Sequence, residues 1–255
     1  MKMSPATTLG RGSRNLRKVG RLRMNQDAFP VLQVPWAAGD RCRLEVAQGA
    51  EAEPVATWEL EVARGGEESW LLTSRVVAHA PAGAPSEPPS EETCTVEAHK
   101  TTLAPLRVEY LFRHGSRQAT YEAVYGEGKA RIRADVGGER RTAEVVLPDP
   151  PYFDNEQFVM VLRALPLAVG FETTLNTIIT KIGSKMPVSI RVVKTEDLVV
   201  PAGSYRCWVV ELKGVGQWAW IACDPRRQLV RFMNEDAKTD SRLVDHVGGR
   251  SRRSP

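Results

Sequence analysis

The 255-residue sequence has no apolar run that approaches the roughly 20 residues needed by a membrane-spanning helix, so we expect no transmembrane segment. Cysteine and histidine are scarce, with four residues of each, and no two cysteines form a C-x-x-C pair. Zinc ribbons and redox motifs with that spacing are thereby excluded. A chain of this length buries about 70–75% of its unfolded surface, so it needs neither a disulfide nor a metal to fold.

Motifs of the common enzyme classes are also absent. The sequence contains no G-x-S-x-G elbow, no Walker loop, no H-E-x-x-H and no dinucleotide glycine fingerprint. His99 and His114 end neighbouring predicted strands and could approach each other, but no third metal ligand is identifiable beside them. We therefore predict no catalytic residue, no metal site and no cofactor.

Positive charge is concentrated at the two ends of the chain. Residues 1–26 contain seven lysines and arginines and no acid, and the last six residues contain three arginines. A nucleic-acid-binding domain would carry such charge on a folded face, so we predict no specific nucleic-acid partner. Residues 1–27 and 250–255 are expected to be disordered basic tails, and the first of them lacks the continuous apolar stretch of a secretory signal peptide.

Alternation of apolar and polar residues predicts strands through most of the chain between the tails. It is clearest over residues 58–62, 106–112 and 130–136. Successive side chains of a strand point to opposite faces, so each of these segments has one buried and one solvent-facing side. Because glycine- or proline-containing turns separate the strands closely, we predict an all-β fold. The expected architecture is a curved antiparallel sheet, an open half-barrel or roll, with one short helix.

One segment has the periodicity of a helix. From Phe158, apolar residues recur at positions i, i+3, i+4 and i+7, which is the stripe of a half-buried helix. Asp154 is a good N-cap, Gln157 occupies the position of a capping partner, and Pro166 ends the pattern. We therefore predict a helix over residues 154–165.

Residues 80–92 are rich in proline, serine and alanine and are expected to form a flexible loop. The strands that precede this loop contain too little apolar surface to fold alone. We therefore predict a single β-rich domain over residues 28–249.

The hairpin between residues 204 and 223 permits a prediction of register. Centring its turn on Val215 gives the following pairs: Leu212 with Trp218, Val210 with Trp220 and Cys207 with Cys223. Directly opposed residues share a face, so Trp208, Trp218 and Trp220 would form one aromatic cluster. The two opposed cysteines could form a disulfide in an oxidising compartment.

A one-sided sheet must cover its apolar face, and we expect the single helix to lie over this aromatic cluster. The candidate ligand-binding residues are therefore Trp208, Trp218, Trp220, Phe158 and Leu162. A wall of this composition suits a lipid or another apolar small molecule. Two alternatives stay open: a hydrolase-type enzyme that uses Asp154, His99 or His114, and a protein-interaction module with a filled core.

Several segments resemble a family of uncharacterised exported bacterial proteins. VKTEDLVVPAGSYRCWVVEL (193–212) and GQWAWIACDPRRQLVRF (216–232) contain its PAG turn, its tryptophan hairpin and its DP-x-x-x-L-V-R strand. YFDNEQFVMVLRALPL (152–167) is similar to its helical insert, and Gly39-Asp40 to the start of its first strand. The resemblance covers roughly residues 30–235. It implies an unclosed barrel distantly like the outer-membrane lipoprotein carriers, and an exported or cell-envelope location, although the sequence as written has no signal peptide. The family has no known function.

Overall fold

A computed structural model of the protein describes residues 32–49, 53–80 and 89–249. The strands, numbered in chain order, are β1 (Arg41–Gln48), β2 (Pro54–Arg64), β3 (Ser69–Ala78), β4 (Glu91–His99), β5 (Pro105–His114), β6 (Arg117–Gly126), β7 (Lys129–Val136), β8 (Glu139–Val146), β9 (Tyr152–Asp154), β10 (Glu172–Ile179), β11 (Ser184–Val200), β12 (Gly203–Lys213), β13 (Gln217–Ala222), β14 (Leu229–Asn234) and β15 (Thr239–Val247). The helical elements are α1 (Phe158–Ala164) and two 3-10 turns (Asn155–Gln157 and Thr180–Ile182).

All 15 strands belong to one sheet. Its spatial order runs from β8 back to β1, then from β15 back to β9, so two meanders meet where β1 pairs with β15. Only the pair of β9 with β10 is parallel. Hydrogen bonding does not close the sheet, and β8 and β9 are its edges. The predicted all-β fold, an open and predominantly antiparallel sheet with one short helix, is confirmed.

Side chains connect the two edges of the sheet. Lys185 Nζ, at the start of β11, donates to the carbonyl oxygen of Val146 on β8 at 3.2 Å. The rings of Tyr125 on β6 and Tyr152 on β9 are stacked with centroids 6.3 Å apart. The sheet therefore curves far enough to bring its ends together without forming a strand ladder between them.

Helix α1 is buried on every side, whereas the sequence predicted a half-buried helix. All seven of its residues are buried. The backbone N–H of Gln33 donates to Ala164 O at 2.8 Å, and Arg227 Nη1 donates to Leu165 O at 2.7 Å. The half-buried prediction fails because segments distant in the chain cover the helix side that the sheet leaves open.

The predicted helix bounds are close to those observed. Asp154 caps the helical segment by accepting the N–H of Glu156 at 2.9 Å, as predicted, and α1 ends at Ala164, before Pro166. The prediction for Gln157 is wrong, because its Nε2 donates to the carbonyl oxygen of Leu103 at 2.6 Å. The side chain therefore serves a buried backbone acceptor rather than the helix end.

The predicted register of the β12–β13 hairpin is wrong by one residue. The observed pairs are Cys207 with Ala222, Trp208 with Ile221, Val209 with Trp220, Val210 with Ala219, Glu211 with Trp218 and Leu212 with Gln217. Four residues, 213–216, lie between the last pair, and Gly214 and Gly216 adopt positive φ angles of 81° and 56°. Glycine tolerates this conformation, so the connection contains four residues, one more than the three residues of a turn centred on Val215. A one-residue slip reverses which residues share a face.

Cys207 consequently does not oppose Cys223, and all four cysteines are free. Cys42 and Cys94 are buried thiols. Strand β4 begins at Glu91, inside the segment predicted as loop over residues 80–92. The two predicted tails lie outside the described residues, and the domain bounds stay a prediction. No helix among residues 32–49, 53–80 and 89–249 has the length and apolarity to span a membrane.

Candidate functional site

The three tryptophans of the predicted ligand site do not share a face. Trp208 pairs with Ile221, while Trp218 and Trp220 pair with Glu211 and Val209, which alternate with Trp208 along β12. One helix covers one face of a sheet, so α1 cannot cover all three rings. The predicted common aromatic floor is therefore wrong, because it depended on the hairpin register.

A charged side chain contacts each of these tryptophans. Arg231 lies 4.5 Å from the Trp220 ring centroid, and Arg227 lies 5.8 Å from that of Trp208. Trp220 Nε1 donates to Glu196 at 2.5 Å, and Trp218 Nε1 donates to Glu235 at 3.0 Å. These contacts are typical of structural packing, because the indole N–H groups of Trp218 and Trp220 and the ring faces of Trp208 and Trp220 have partners.

Phe158 and Leu162 belong to the core, with 6% and 0% of their surface exposed. They lie within a single large cluster of buried apolar residues. The part that Trp208, Trp218, Trp220, Phe158 and Leu162 play in ligand binding stays a prediction, without the shared geometry on which it was based.

The predicted approach of His99 to His114 is wrong. Strand β4 runs antiparallel to β5, so Glu91 pairs with Arg113 while Ala98 pairs with Pro105. The two histidines therefore lie at opposite ends of the β4–β5 hairpin. Within the described segments, no three histidine, cysteine or acidic side chains are arranged to hold a metal ion.

A buried ion pair that the sequence did not predict anchors α1. Arg163 is 1% exposed, and its Nη2 donates to Asp40 Oδ1 at 3.1 Å and to Arg226 O at 3.2 Å. Its Nε donates to Arg227 O at 2.8 Å, and its guanidinium lies 5.4 Å from the Trp36 ring centroid. The only sequence signal for this contact is a single arginine within the apolar run of the helix.

His246 completes the surroundings of Asp40. Its Nε2 lies 3.4 Å from Asp40 Oδ2, and both side chains are nearly fully buried. Burial by itself raises the pKa of Asp40, but His246 and Arg163 together hold that pKa below its usual value. Asp40 is therefore ionised at neutral pH.

A second buried carboxylate, Asp154, is surrounded by hydroxyl groups instead of cations. Its Oδ2 accepts hydrogen bonds from the hydroxyl groups of Tyr125 at 2.6 Å and Thr180 at 2.5 Å. Burial raises the pKa of Asp154 to about 6, although these hydrogen bonds oppose the shift. Asp154 is 0% exposed, so it cannot reach a substrate as the hydrolase alternative requires.

We expect Asp154→Asn to remove a component of the pH dependence of stability. The pKa of Asp154 is about 6 in the folded protein, against a usual value of 3.8, so the folded state binds the carboxyl proton more tightly than the unfolded state. The contribution of Asp154 to the unfolding free energy of the wild type therefore rises as pH falls from 7 to 4. Urea denaturation at several pH values measures this trend. Asp149→Asn, at an exposed position, is the matched control and should keep the wild-type profile. Equal profiles for wild type and Asp154→Asn would contradict the assignment.

A cavity of about 730 Å³ lies on a different part of the molecule, over strands β4 to β8. We call it the outer groove, and its lining is Thr93, Thr95, Arg107, Glu109, Tyr110, Leu111, Arg113, Gln118, Thr120, Tyr121, Glu122, Arg133, Ala134, Asp135, Arg140, Arg141 and Thr142. None of the five predicted ligand-binding residues is among them.

The floor of the outer groove consists of two rows of directly paired residues. The first row is Thr95, Glu109, Glu122, Arg133 and Thr142. The second row is Thr93, Leu111, Thr120, Asp135 and Arg140. Both rows alternate along their strands with buried residues such as Val108 and Ile132, so they form the solvent-facing side of the sheet.

Charges in the outer groove are partly paired. Arg107 Nη2 contacts Glu109 Oε1 at 2.8 Å and Glu122 Oε1 at 2.6 Å, and thereby separates two glutamates that face each other across β5 and β6. Arg140 pairs with Asp135 at 3.3 Å. The alternation of apolar and polar residues predicted solvent-facing sides for β5 and β7, but it does not reveal that these sides line a cavity.

Comparison with known proteins identifies the family. The family model described as "Protein of unknown function (DUF3108)" matches residues 41–238. The chain belongs to this family. The resemblance to uncharacterised proteins found in the sequence is thus confirmed, and DUF3108 membership carries no assigned activity. No curated protein is significantly similar in sequence to this DUF3108 chain.

One solved structure supports the fold. A β-barrel-like protein of the domain of unknown function DUF1849, from Brucella abortus, is similar at a TM-score of 0.55 and 10% identity over 84% of this chain and 99% of that chain. A protein from Bacteroides fragilis, proposed to be exported and with a YmcC-like fold, has a TM-score of 0.34 at 9% identity over 85% and 99%. A proposed lipoprotein from Parabacteroides distasonis has a TM-score of 0.32 at 11% identity over 86% and 100%. Only the first likeness is strong enough to bear on the DUF3108 fold.

Proposed function

We propose that this DUF3108 domain is a non-catalytic binding module that holds a polar ligand in the outer groove. The observation that carries the proposal is the position of the open space. The groove of about 730 Å³ lies over a polar sheet face, whereas the apolar side of the sheet packs against a fully buried helix. Ligands bind in concave sites with a few convergent polar groups, and the groove supplies such groups in two rows.

The hydrolase alternative has weaker support. Two of its proposed groups, His99 and His114, lie at opposite ends of the β4–β5 hairpin, and the buried carboxyl of Asp154 is already bonded to two protein hydroxyls. A nucleophile, a base and an orienting group within reach of one another are the minimum for such chemistry. A binding role makes no such demand.

Location outside the cytoplasm is part of the proposal. Its support is the resemblance of residues 193–232 to exported proteins of unknown function. Cell fractionation of the native host, with antibody detection, tests it. Recovery of the protein from the cytosol alone would contradict an exported or envelope location.

Filling the outer groove is expected to abolish binding of a polar probe. Thr120 lies mid-floor, and Thr120→Trp places an indole there while keeping a residue type that suits strands. The full chain is titrated by calorimetry with tetragalacturonate, maltotetraose and oleate. We expect the wild-type protein to bind at least one of the two sugars and Thr120→Trp to bind neither.

Thr174→Trp is the matched control, since Thr174 is exposed on β10 and lies outside the groove lining. It should bind as the wild type does. Sugar binding that survives Thr120→Trp, or no binding of any sugar, neutral or anionic, would overturn the proposal. Oleate binding that changes tryptophan fluorescence would instead favour the predicted apolar site at Trp208, Trp218, Trp220, Phe158 and Leu162.

A further inference from the structure

Two arginines of the outer groove, Arg113 and Arg133, form no ion pair with any residue that the structure describes. Arg133 lies directly opposite Glu122, but that carboxylate is bonded to Arg107 at 2.6 Å. Arg113 lies opposite Glu91 and helps to lower the pKa of that carboxyl group, but the direct bond of Glu91, at 2.7 Å, is to Arg75. The groove thus contains more guanidinium groups than its own carboxylates neutralise.

We infer that the ligand of the outer groove is an anionic oligosaccharide, a hydroxyl-rich chain with carboxylate, sulfate or phosphate groups. The inference rests on the proposed binding function and adds the chemical class of the ligand. Guanidinium groups bind such anions through two parallel hydrogen bonds, which makes unpaired arginines suitable recognition groups.

The remaining floor residues suit the hydroxyl groups of a sugar. Thr93, Thr95, Thr120 and Thr142 supply hydroxyls that donate and accept hydrogen bonds. Glu109 and Glu122 supply carboxylate oxygens that accept bonds from hydroxyl donors. From β4 to β8 the floor crosses four interstrand spacings, about 19 Å, which is long enough for an extended chain rather than a single small ion.

A peptide fits this floor less well than a sugar. Strands β5, β6 and β7 each pair with a strand on both sides, so their backbone groups are used within the sheet. A peptide that binds by strand addition needs a free strand edge, and the three strands in the middle of the floor, β5, β6 and β7, have none. Recognition must therefore come from side chains, as it does for hydroxyl and anionic groups.

A nucleic acid is also disfavoured by the lining. Single-stranded nucleic acids use aromatic rings on which bases stack. The aromatic residues at this position, Tyr110 and Tyr121, pack edge to face against each other with centroids 5.4 Å apart. They alternate with Glu109 and Glu122 along their strands and pack with the core on the other side of the sheet, so they border the groove through their backbone and not through their rings.

The test compares an anionic sugar with its neutral counterpart on the full-length protein. Tetragalacturonate and its methyl ester have the same chain and differ in charge, and a heparin-derived tetrasaccharide supplies sulfate in place of carboxylate. Calorimetric titration should show binding of tetragalacturonate or the heparin fragment, weaker binding at raised salt, and much weaker binding of the ester.

Arg113→Gln and Arg133→Gln should each lower that affinity about ten-fold or more, because each loses a charged hydrogen-bond donor. Arg43→Gln removes the same charge from an exposed site on β1, outside the groove, and should leave the affinity unchanged. Circular dichroism establishes that the variants are folded.

The outcomes separate this inference from the function on which it rests. Equal binding of acid and ester, with no effect of Arg113→Gln or Arg133→Gln, would overturn the anionic ligand and leave the groove as a neutral sugar site. An equal loss with Arg43→Gln would show attraction by overall charge only and would also overturn it. Absence of binding by every sugar, maltotetraose included, would remove both the inference and the proposed function.

Discussion

Replacing Arg163 with leucine is expected to lower the free energy of unfolding by about 3–5 kcal/mol, because it leaves Asp40 as a buried anion without its guanidinium partner. The substitution also removes the donors that satisfy the carbonyl oxygens of Arg226 and Arg227. His246 remains beside Asp40 and compensates only in part. Urea or thermal denaturation followed by circular dichroism measures the loss.

Arg206→Leu is the matched control, since Arg206 pairs with Asp197 at 3.0 Å with both side chains more than half exposed. A surface pair of this kind contributes about 0–1 kcal/mol. The double variant Arg163→Leu with Asp40→Asn should recover part of the lost stability, because no buried charge is then left uncompensated. If Arg163→Leu costs no more than Arg206→Leu, the buried pair does not anchor the helix.

Leu162→Ala is expected to cost about 2–5 kcal/mol of unfolding free energy, which is the range for deleting a large side chain from a closed core. Leu162 is 0% exposed in the middle of α1. Leu106→Ala, at a β5 position that is 39% exposed, should cost much less. Chemical denaturation of both variants measures the difference.

This second prediction also decides between a filled core and a movable lid. A helix built to open over an apolar cavity would tolerate Leu162→Ala at about 1 kcal/mol or less, because its packing would be loose. Such a result would revive the predicted lipid site and weaken the case for the outer groove. A large cost supports α1 as a permanent part of the interior.

The two buried aspartates illustrate how environment sets protonation. Asp40 has a cation and a histidine beside it, and its pKa is lowered despite burial. Asp154 has only hydroxyl and backbone donors, and burial raises its pKa to about 6. Both residues precede or begin structural elements in the sequence, and nothing in their immediate sequence surroundings distinguishes them. Their difference comes from partners more than 25 residues away, Arg163 for one and Tyr125 and Thr180 for the other.

The sequence by itself determined the class of fold. Apolar alternation over residues 58–62, 106–112 and 130–136 falls within β2, β5 and β7, and the helical periodicity from Phe158 locates α1. These predictions succeed because side-chain periodicity is a local property of strands and helices. The family resemblance is equally readable, since it rests on contiguous motifs.

Tertiary structure alone decided the register, the burial of the helix and the place of the candidate site. The β12–β13 turn could take three or four residues, and the folded hairpin has four, which places Trp208 on the face opposite to Trp218 and Trp220. Arg163 is a single charged residue in the apolar helix segment, and only the fold places its partner Asp40, 123 positions earlier, beside it. The outer groove arises from five strands whose polar rows align only when the sheet forms and curves. Each of these features depends on which distant segments meet, and local periodicity contains no such information.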